Sequence, residues 1–88
     1  MIKLLVFTAD WCTFCKRLKP YTDALIESHT VYMRYVDVDT ESTLTDHFGV
    51  KTIPCVVAVH PDGTEDDRVV NPNPKQLKDF WEVYRGEV

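Results

Sequence analysis

The chain has 88 residues, of which 44% are apolar and 27% are charged. These proportions are typical of a globular protein with one modest core, so the sequence predicts a single domain over residues 1–88 and excludes a disordered chain or a disulfide-dense mini-scaffold. Ten basic residues against fourteen acidic ones give a net charge of −4. This excludes a nucleic-acid partner, because no cationic surplus is present to displace phosphate counterions.

The first predicted element is a strand from Ile2 to Phe7. Its residues form a nearly continuous apolar run of strand length, which is typical of a central strand that is buried on both faces. The run is too short for the apolar core of a signal peptide and far short of the ~20 residues that span a bilayer. We therefore expect neither a targeting nor a membrane segment, and we expect the chain to be cytoplasmic.

A helix is predicted from about Cys12 to Ser28, after a short stretch of turn and cap formers. Apolar positions recur in it at helical spacing and predict its buried stripe, which consists of Phe14, Leu18, Tyr21 and Leu25. Lys16 and Arg17 are expected in solvent. Pro20 lies inside the helix and removes one backbone donor, so a kink is expected there.

Residues Val31 to Val38 alternate and are rich in β-branched and aromatic types, so they predict a second strand. A short helix follows it. Asp39 and Thr40 are the predicted cap residues of this helix, and Gly49 is its predicted C-terminal stop.

The third predicted strand, Val56 to Val59, is again apolar throughout. Residues 60–64 contain the Pro-Asp-Gly turn that joins antiparallel strands, and residues 68–70 predict the fourth strand, preceded by an acidic run on an exposed edge. A last helix is predicted to start at Asn73. Its predicted buried stripe consists of Leu77, Phe80, Trp81 and Tyr84.

The elements follow the order βαβαββα, which predicts an α/β fold with a four-stranded mixed sheet and three helices. A helical crossover makes the first two strands parallel, so their C-terminal ends share one edge of the sheet. If the third strand is antiparallel to them, its start comes to the same edge. The sequence then predicts one surface that collects Cys12, Asp37, Asp39 and the segment Ile53–Cys55.

Two of the three cysteines, Cys12 and Cys15, lie three positions apart at the start of the first helix. An odd cysteine count fits a complete disulfide framework poorly, and a close pair in a reducing compartment is more often catalytic or metal-binding than structural. Unpaired backbone donors and the positive end of the helix dipole favour the thiolate of Cys12. Cys15 is expected on the same face but farther inside. This spacing suits thiol–disulfide exchange, in which a second thiol resolves the mixed disulfide.

Together with three other segments, these residues resemble the thioredoxin family over nearly the whole chain. The resemblance rests on DWCTFCK at residues 10–16, Pro20 five residues beyond the second cysteine, YVDVD at residues 35–39 and GVKTIPC at residues 49–55. It implies a thioredoxin-like fold. Because the resemblance begins at Ile2, the extra N-terminal strand and helix of larger thioredoxins are expected to be missing.

The resemblance also implies a role for the residues around the dithiol. Cys12 is the expected nucleophile and Cys15 the resolving thiol, and the two are expected to form the redox disulfide. Trp11 is expected to form a wall of the active site, and Pro54 to be a cis-proline that faces the dithiol. The expected client-binding residues are Trp11, Ile53, Pro54, Val70 and Asn71.

The activity implied by the resemblance is the reduction of protein disulfides, with no metal or organic cofactor. The expected electron donor is a thioredoxin reductase or a similar protein. The expected clients are disulfide-bearing proteins such as ribonucleotide reductase. We expect a monomer with no nucleic-acid or membrane partner.

Several positions depart from the family pattern. The buried aspartate that many thioredoxins carry six residues before the first cysteine is Val6 here, and its usual lysine companion is Tyr35. The Gly-Pro dipeptide between the cysteines is replaced by Thr13-Phe14. The proton acceptor for the resolving thiol must therefore be another group, either water or one of three candidates: Asp10, Asp37 and Asp39.

Cys55 follows the Ile-Pro dipeptide, where the family commonly has threonine. A free cysteine at a strand start is expected to pack as a small residue, and the alternative is an accessory thiol that forms a side disulfide or helps to hold a metal. A zinc-binding module would draw a Cys₃His set from Cys12, Cys15, Cys55 and His60. Cys55 and His60 are five positions apart on one predicted strand, so they point to opposite faces and disfavour that set.

A glutathione-dependent glutaredoxin is the nearer alternative, because its length and core order suit the chain equally well. The Gly-Gly pair usual in glutaredoxins is replaced by VNPNP at residues 70–74. Glycines allow a ligand to approach the backbone closely, and their absence disfavours a glutathione carboxylate site. A redox-inactive binding module would give the two cysteines no reason to be paired.

Overall fold

The computed structural model describes residues 1–86. Seven elements follow one another in the predicted order: β1 (Lys3–Thr8), α1 (Thr13–Glu27), β2 (Tyr32–Asp37), α2 (Ser42–His47), β3 (Cys55–Val59), β4 (Glu65–Val70) and α3 (Pro74–Arg85). The predicted α/β fold with four strands and three helices is confirmed. Within these residues, no helix is both long enough and apolar enough to cross a membrane.

The four strands form one mixed sheet in the order β2-β1-β3-β4. β1 and β2 are parallel, whereas β3 runs antiparallel to both β1 and β4. All five residues of β3 and four of the six residues of β1 are buried. These two inner strands are covered on both faces, which is why they read as unbroken apolar runs in the sequence.

The two faces of β1 enter different cores. Leu4 and Val6 pack with buried residues of α1 and α3. Leu5 and Phe7 point the other way and pack with the partly buried Leu44 of α2. Successive side chains of a strand alternate between faces, so helices cover the inner strands from both sides.

The sheet topology brings three chain segments to one edge. In the parallel ladder, Thr8 at the end of β1 pairs with Asp37 at the end of β2. In the antiparallel ladder, Phe7 pairs with Cys55, the first residue of β3. The segments that follow β1 and β2 therefore meet the segment that precedes β3, as predicted.

The buried stripe of α1 differs from the predicted one. Phe14 and Tyr21 are 60% and 53% exposed, and the buried residues of the helix are Cys15, Leu18 and Thr22. The prediction is confirmed for Leu18, and Leu25 packs against the core. It was wrong for Phe14 and Tyr21, and it missed Thr22 because that residue is polar. Its hydroxyl donates a hydrogen bond to the carbonyl oxygen of Leu18 within the helix and so needs no water.

β4 is longer than predicted, because it begins at Glu65 rather than at residue 68. It is an edge strand of the sheet, and the first three of its residues are exposed. An edge strand with a solvated face tolerates charged side chains. Its acidic first half therefore carries no hydrophobic signal in the sequence.

The start of α2 also differs from the prediction. Its N-cap is Glu41 rather than Asp39 or Thr40, and the Glu41 side chain makes no capping hydrogen bond. The backbone N–H groups of Thr40 and Glu41 both donate to the carbonyl oxygen of Asp37. This turn at the end of β2 uses residues 37–41 and delays the helix.

α3 begins as predicted. The Asn73 side chain accepts a hydrogen bond from the backbone N–H of Gln76 at 2.8 Å, and the Gln76 side chain accepts one from the backbone N–H of Asn73 at 2.9 Å. These reciprocal bonds form a capping box. The residues that α3 buries are Leu77, Trp81 and Tyr84, with Phe80 partly buried beside them.

Candidate active site

Cys12 and Cys15 form a disulfide at the N-terminus of α1, and their Cα atoms lie 5.2 Å apart. Cys12 is the N-cap residue, and its Sγ accepts a hydrogen bond from the backbone N–H of Cys15 at 3.2 Å. The first turn of a helix leaves such N–H groups without backbone partners. In the reduced protein the same donor would stabilise a thiolate on Cys12.

The two cysteines do not differ in depth. Cys12 is 6% exposed and Cys15 is 7% exposed, so the prediction that Cys15 lies farther inside was wrong. They differ in their neighbours. The Sγ atom of Cys12 lies 3.9 Å from the carbonyl oxygen of Ile53, whereas Cys15 lines a cleft with charged side chains.

The segment before β3 lies against the disulfide. The Ile53–Pro54 peptide bond is cis, Pro54 is buried, and Ile53 packs against the cluster that contains both disulfide cysteines. The carbonyl oxygen of Pro54 accepts a 2.7 Å hydrogen bond from the backbone N–H of Asn71. Asn71 has a φ of 49°, a left-handed conformation that asparagine tolerates better than most residues. This bond ties the end of β4 to the segment that faces Cys12.

Exposed apolar side chains surround the disulfide. Trp11, Phe14 and Val70 are 66%, 60% and 50% exposed. The indole Nε1 of Trp11 donates a hydrogen bond to the carboxylate of Asp39 at 2.9 Å. Trp11 and Val70 belong to the predicted client-binding residues, and Phe14 is a further exposed apolar side chain next to Cys15.

Cys15 lines a cleft of about 390 Å³ between α1 and the ends of β1 and β2. We call it the Cys15 cleft, and its lining consists of Thr8, Ala9, Asp10, Cys15, Lys16, Lys19, Tyr35 and Asp37. Two of the three candidate proton acceptors, Asp10 and Asp37, therefore share a cleft with the second thiol. The third, Asp39, contacts Trp11 instead. Val6 is 2% exposed and belongs to the apolar core.

Tyr35 is fixed at the wall of the Cys15 cleft. Its phenol donates a 2.5 Å hydrogen bond to the carboxylate of Asp23, and the Lys19 ammonium lies 2.9 Å from the same carboxylate. The bonds from Tyr35 and then Lys19 hold the pKa of Asp23 below its ordinary value. Burial and the neighbouring Asp23 raise the pKa of Tyr35 well above its ordinary value. Tyr35 is therefore a protonated donor at neutral pH.

Cys55 lies in a different apolar cluster from the disulfide. It is 1% exposed and packs with Phe7 and Val57. Burial raises the pKa of its thiol, which disfavours the reactive thiolate. The position matches the expectation of a small packed residue.

The residues of the zinc alternative are not assembled. Cys12 and Cys15 are bonded to each other, and Nε2 of His60 lies 2.9 Å from the carboxylate of Asp66. Over residues 1–86, no group of three or more His, Cys, Asp and Glu side chains is arranged to hold a metal ion.

Sequence reasoning missed two residues near the site, Phe14 and Arg17. They lie beside a second cleft of about 250 Å³, which we call the Phe14 cleft; its lining consists of Phe14, Arg17, Leu18, Asn71, Pro72, Asn73 and Pro74. The Arg17 guanidinium carbon lies 5.8 Å from the centroid of the Phe14 ring. The sequence did contain a signal for the exposure of Phe14. Neighbouring residues of a helix are rotated by about 100° around its axis, so a residue next to the inward-facing Cys15 points away from the core.

Comparison with known proteins agrees with this geometry. The family model described as Thioredoxin matches residues 2–82. The chain is 37% identical over 68 residues to thioredoxin of Chlamydia caviae, an alignment that covers 76% of this chain and 66% of that protein. It is 36% identical over 66 residues to a protein disulfide-isomerase of Schizosaccharomyces pombe, which covers 70% of this chain and 18% of that protein.

The chain therefore spans slightly less than two thirds of the first of these relatives and under one fifth of the second. Among solved structures, the X-ray structure of Fasciola hepatica thioredoxin matches with a TM-score of 0.84 at 28% identity, covering 93% of this chain and 79% of that one. Sequence and structure agree on the cysteine pair at the start of α1 and on the mixed sheet behind it, and the chain belongs to the thioredoxin family.

Proposed function

We propose that the chain is a protein-disulfide reductase whose Cys12–Cys15 dithiol gives two electrons to a client disulfide. The observation that carries this proposal is the place of the two sulfurs. Both sulfurs lie at the N-terminus of α1, and that of Cys12 is 3.9 Å from the carbonyl oxygen of Ile53. The exposed apolar side chains of Trp11, Phe14 and Val70 form a rim near them. Such a rim suits the docking of another protein chain.

We infer that Cys12 is the nucleophile of the reduced protein. Its thiolate attacks one sulfur of the client disulfide, so that a mixed disulfide forms on Cys12 while the other client sulfur leaves and takes up a proton. The hydrogen bond from the backbone N–H of Cys15 to the Cys12 sulfur supports this role, because it stabilises negative charge there.

Cys15 is the resolving thiol in this proposal. It loses its proton, attacks the Cys12 sulfur and releases the second client sulfur, which takes up a proton. The client then holds two thiols and the protein holds the Cys12–Cys15 disulfide. The Cα separation of 5.2 Å lies within the range of protein disulfides, so closure needs no large backbone movement.

We propose Asp37 as the acceptor of the Cys15 proton. Asp37 lines the Cys15 cleft and is half-buried, whereas Asp10 in the same cleft is exposed. Its Oδ1 accepts a 2.8 Å hydrogen bond from the backbone N–H of Asp39, which fixes the carboxylate at the end of β2. Water in the open cleft is the competing acceptor. Asp39 has a different role, because it orients Trp11.

We further propose that clients dock on the surface around the disulfide, where Trp11, Val70 and Asn71 are exposed and the segment of Ile53 and the buried cis-Pro54 lies against the cysteines. A thioredoxin reductase is the proposed donor of electrons, and ribonucleotide reductase is a proposed client. The proposed compartment is a reducing cytoplasm. Cys55 has no part in the proposed cycle, because it is buried among apolar side chains.

The donor and the reaction can be tested together. The oxidised protein is mixed with NADPH and thioredoxin reductase, or with NADPH, glutathione and glutathione reductase, and NADPH consumption is followed after insulin is added. We expect turnover with thioredoxin reductase and little with glutathione. Turnover with glutathione alone would favour the glutaredoxin alternative. If dithiothreitol reduces the disulfide and the dithiol then fails to reduce insulin, the reductase function is refuted.

A further inference from the structure

The Phe14 cleft carries a positive charge that the proposed cycle does not use. The guanidinium of Arg17 lies over the Phe14 ring and has no carboxylate partner among residues 1–86. Four other basic side chains, those of Lys19, Arg34, Arg68 and Lys75, each pair with a carboxylate, and Arg17 is the one basic residue among those that line the Phe14 cleft. The charge of Arg17 is therefore available to a partner.

The rest of the Phe14 cleft suits the same partner. Among residues 1–86, no acidic side chain lines it, and its other polar side chains are the amides of Asn71 and Asn73. The chain as a whole is acidic, with a net charge of −4. A cleft with one cation, two amides and no carboxylate is thus complementary to an acidic group, and a guanidinium binds a carboxylate through two parallel hydrogen bonds.

The cleft adjoins the reacting sulfurs. Phe14 lies between the two cysteines in the sequence, and the backbone of Asn71 is bonded to Pro54. The residue before Pro54, Ile53, has its carbonyl oxygen 3.9 Å from the Cys12 sulfur. A client segment whose cysteine is attacked by Cys12 can therefore place a nearby side chain in the cleft.

The size of the cleft favours a side chain over a complete small molecule. Its volume is about 250 Å³, whereas sites for small molecules usually hold about 300 to 1,000 Å³. The exposed Phe14 ring offers an apolar wall for the methylene groups of a long acidic side chain. The guanidinium above that ring then meets the carboxylate.

We propose that the Phe14 cleft selects clients that carry an aspartate or glutamate close to the attacked cysteine. The carboxylate pairs with Arg17, and the aliphatic part of the side chain packs on Phe14. This inference rests on the proposed reductase function and adds a substrate class to it, namely acidic segments around the client disulfide.

The test uses three disulfide-bonded peptides that differ only in the residues flanking one cysteine, which are Glu, Gln or Lys. The reduced protein is mixed with each peptide, and the single-turnover rate of reduction is measured. We expect the Glu peptide to react about three- to fivefold faster than the Gln peptide, which is the scale of one exposed ion pair. The preference should fade in 1 M salt, where the Debye length falls to about 3 Å.

Two variants of Arg17 and a matched control test whether the preference for the Glu peptide depends on the charge in the Phe14 cleft. Arg17→Gln should lose the preference for the Glu peptide, and Arg17→Lys should keep part of it. Lys78→Gln removes the same charge from an exposed position in the middle of α3 and should keep the full preference. Equal rates for the three peptides, or an equal loss for all three in Arg17→Gln, would overturn the inference while leaving the reductase function intact.

Glutathione disulfide serves as a further probe. If the wild type reduces it faster than every peptide and Arg17→Gln loses that advantage, the cleft is a glutathione site and the inference is wrong. If the wild type reduces none of the peptides, the reductase function itself fails and the inference falls with it.

Discussion

The indole Nε1 of Trp11 donates a 2.9 Å hydrogen bond to the carboxylate of Asp39, which joins the residue before Cys12 to the turn after β2. The Trp11 side chain is 66% exposed, so packing alone does not fix the ring. We predict that Asp39→Ala lowers kcat/KM for insulin reduction about twofold to fivefold, since an exposed hydrogen bond to a charged group contributes about 1 kcal/mol.

The measurement pairs insulin reduction with the NMR signal of the Trp11 indole N–H, which should shift in Asp39→Ala. The free energy of unfolding should fall by no more than about 1 kcal/mol, because the bond is exposed and both groups lie at the surface. An unshifted indole signal, or a large loss of stability, would contradict this role for Asp39.

Substitution of each of the three cysteines should have a different effect on insulin reduction. Cys12→Ser should abolish insulin reduction, because no nucleophile remains. Cys15→Ser should accumulate the mixed disulfide between Cys12 and the client, which non-reducing electrophoresis and mass spectrometry detect. Cys55→Ala is the matched control and should keep activity within about twofold, at a stability cost of about 1 kcal/mol for the small cavity. Wild-type activity in Cys12→Ser would end the proposed mechanism.

Asp37→Asn should slow the step in which Cys15 resolves the mixed disulfide. General bases typically contribute 10²–10⁴-fold, but water reaches the open Cys15 cleft, so we expect a loss of about tenfold. The defect should shrink above about pH 8.5, where a thiol ionises without help. Asp10→Asn removes the same charge from an exposed position of the same cleft and should have a smaller effect. Equal rates in both variants and the wild type would assign the proton to water.

Tyr35→Phe should destabilise the protein at pH 7 by about 1 kcal/mol, because it removes the hydrogen bond to the Asp23 carboxylate. The pKa of Asp23 in the fold lies below its ordinary value of 3.8, chiefly because of this bond. A lowered pKa means that the contribution is present above the ordinary value and is lost as the pH falls through the pKa in the fold. The stability gap between the wild type and Tyr35→Phe should therefore be full at pH 7 and narrow well below pH 4.

Urea denaturation at several pH values measures this gap. Tyr21→Phe provides the control. Tyr21 lies in α1, and its side chain is 53% exposed. Its stability should match the wild type at every pH. A gap for Tyr35→Phe that stays constant into strong acid would show that the bond to Asp23 is not its cause.

The part of the site that follows from connectivity could be predicted from the sequence. Cys12 follows β1 and Ile53 precedes β3, so the order of elements alone puts them at one edge of the sheet. The same reasoning places Asp37 there, at the end of β2. Local spacing likewise puts Cys15 on the same side of α1 as Cys12.

The part that depends on how elements rotate against each other could not be predicted. Phe14 and Tyr21 fit a helical stripe in the sequence, yet the packing of α1 on the sheet turns Cys15 and Thr22 inward instead. The contact between Trp11 and Asp39 likewise depends on side-chain positions that no periodicity encodes. In the proposed cycle, these features determine which carboxylate accepts the Cys15 proton and which side chains contact a client.

The acidic start of β4 has a consequence for self-association. An unpaired strand edge is a template for pairing with another chain, and charged side chains on it prevent that pairing. Here Glu65, Asp66 and Asp67 are all exposed on the edge strand. Arg68 pairs with Glu65 and His60 contacts Asp66, but three carboxylates on six residues still give the edge an acidic excess, so two copies that approached through β4 would bring like charges together. A hydrogen bond from Tyr84 holds the pKa of Asp66 below its ordinary value, which keeps this repulsion active in mild acid. We therefore expect the charged start of β4 to disfavour pairing of this edge with a second copy.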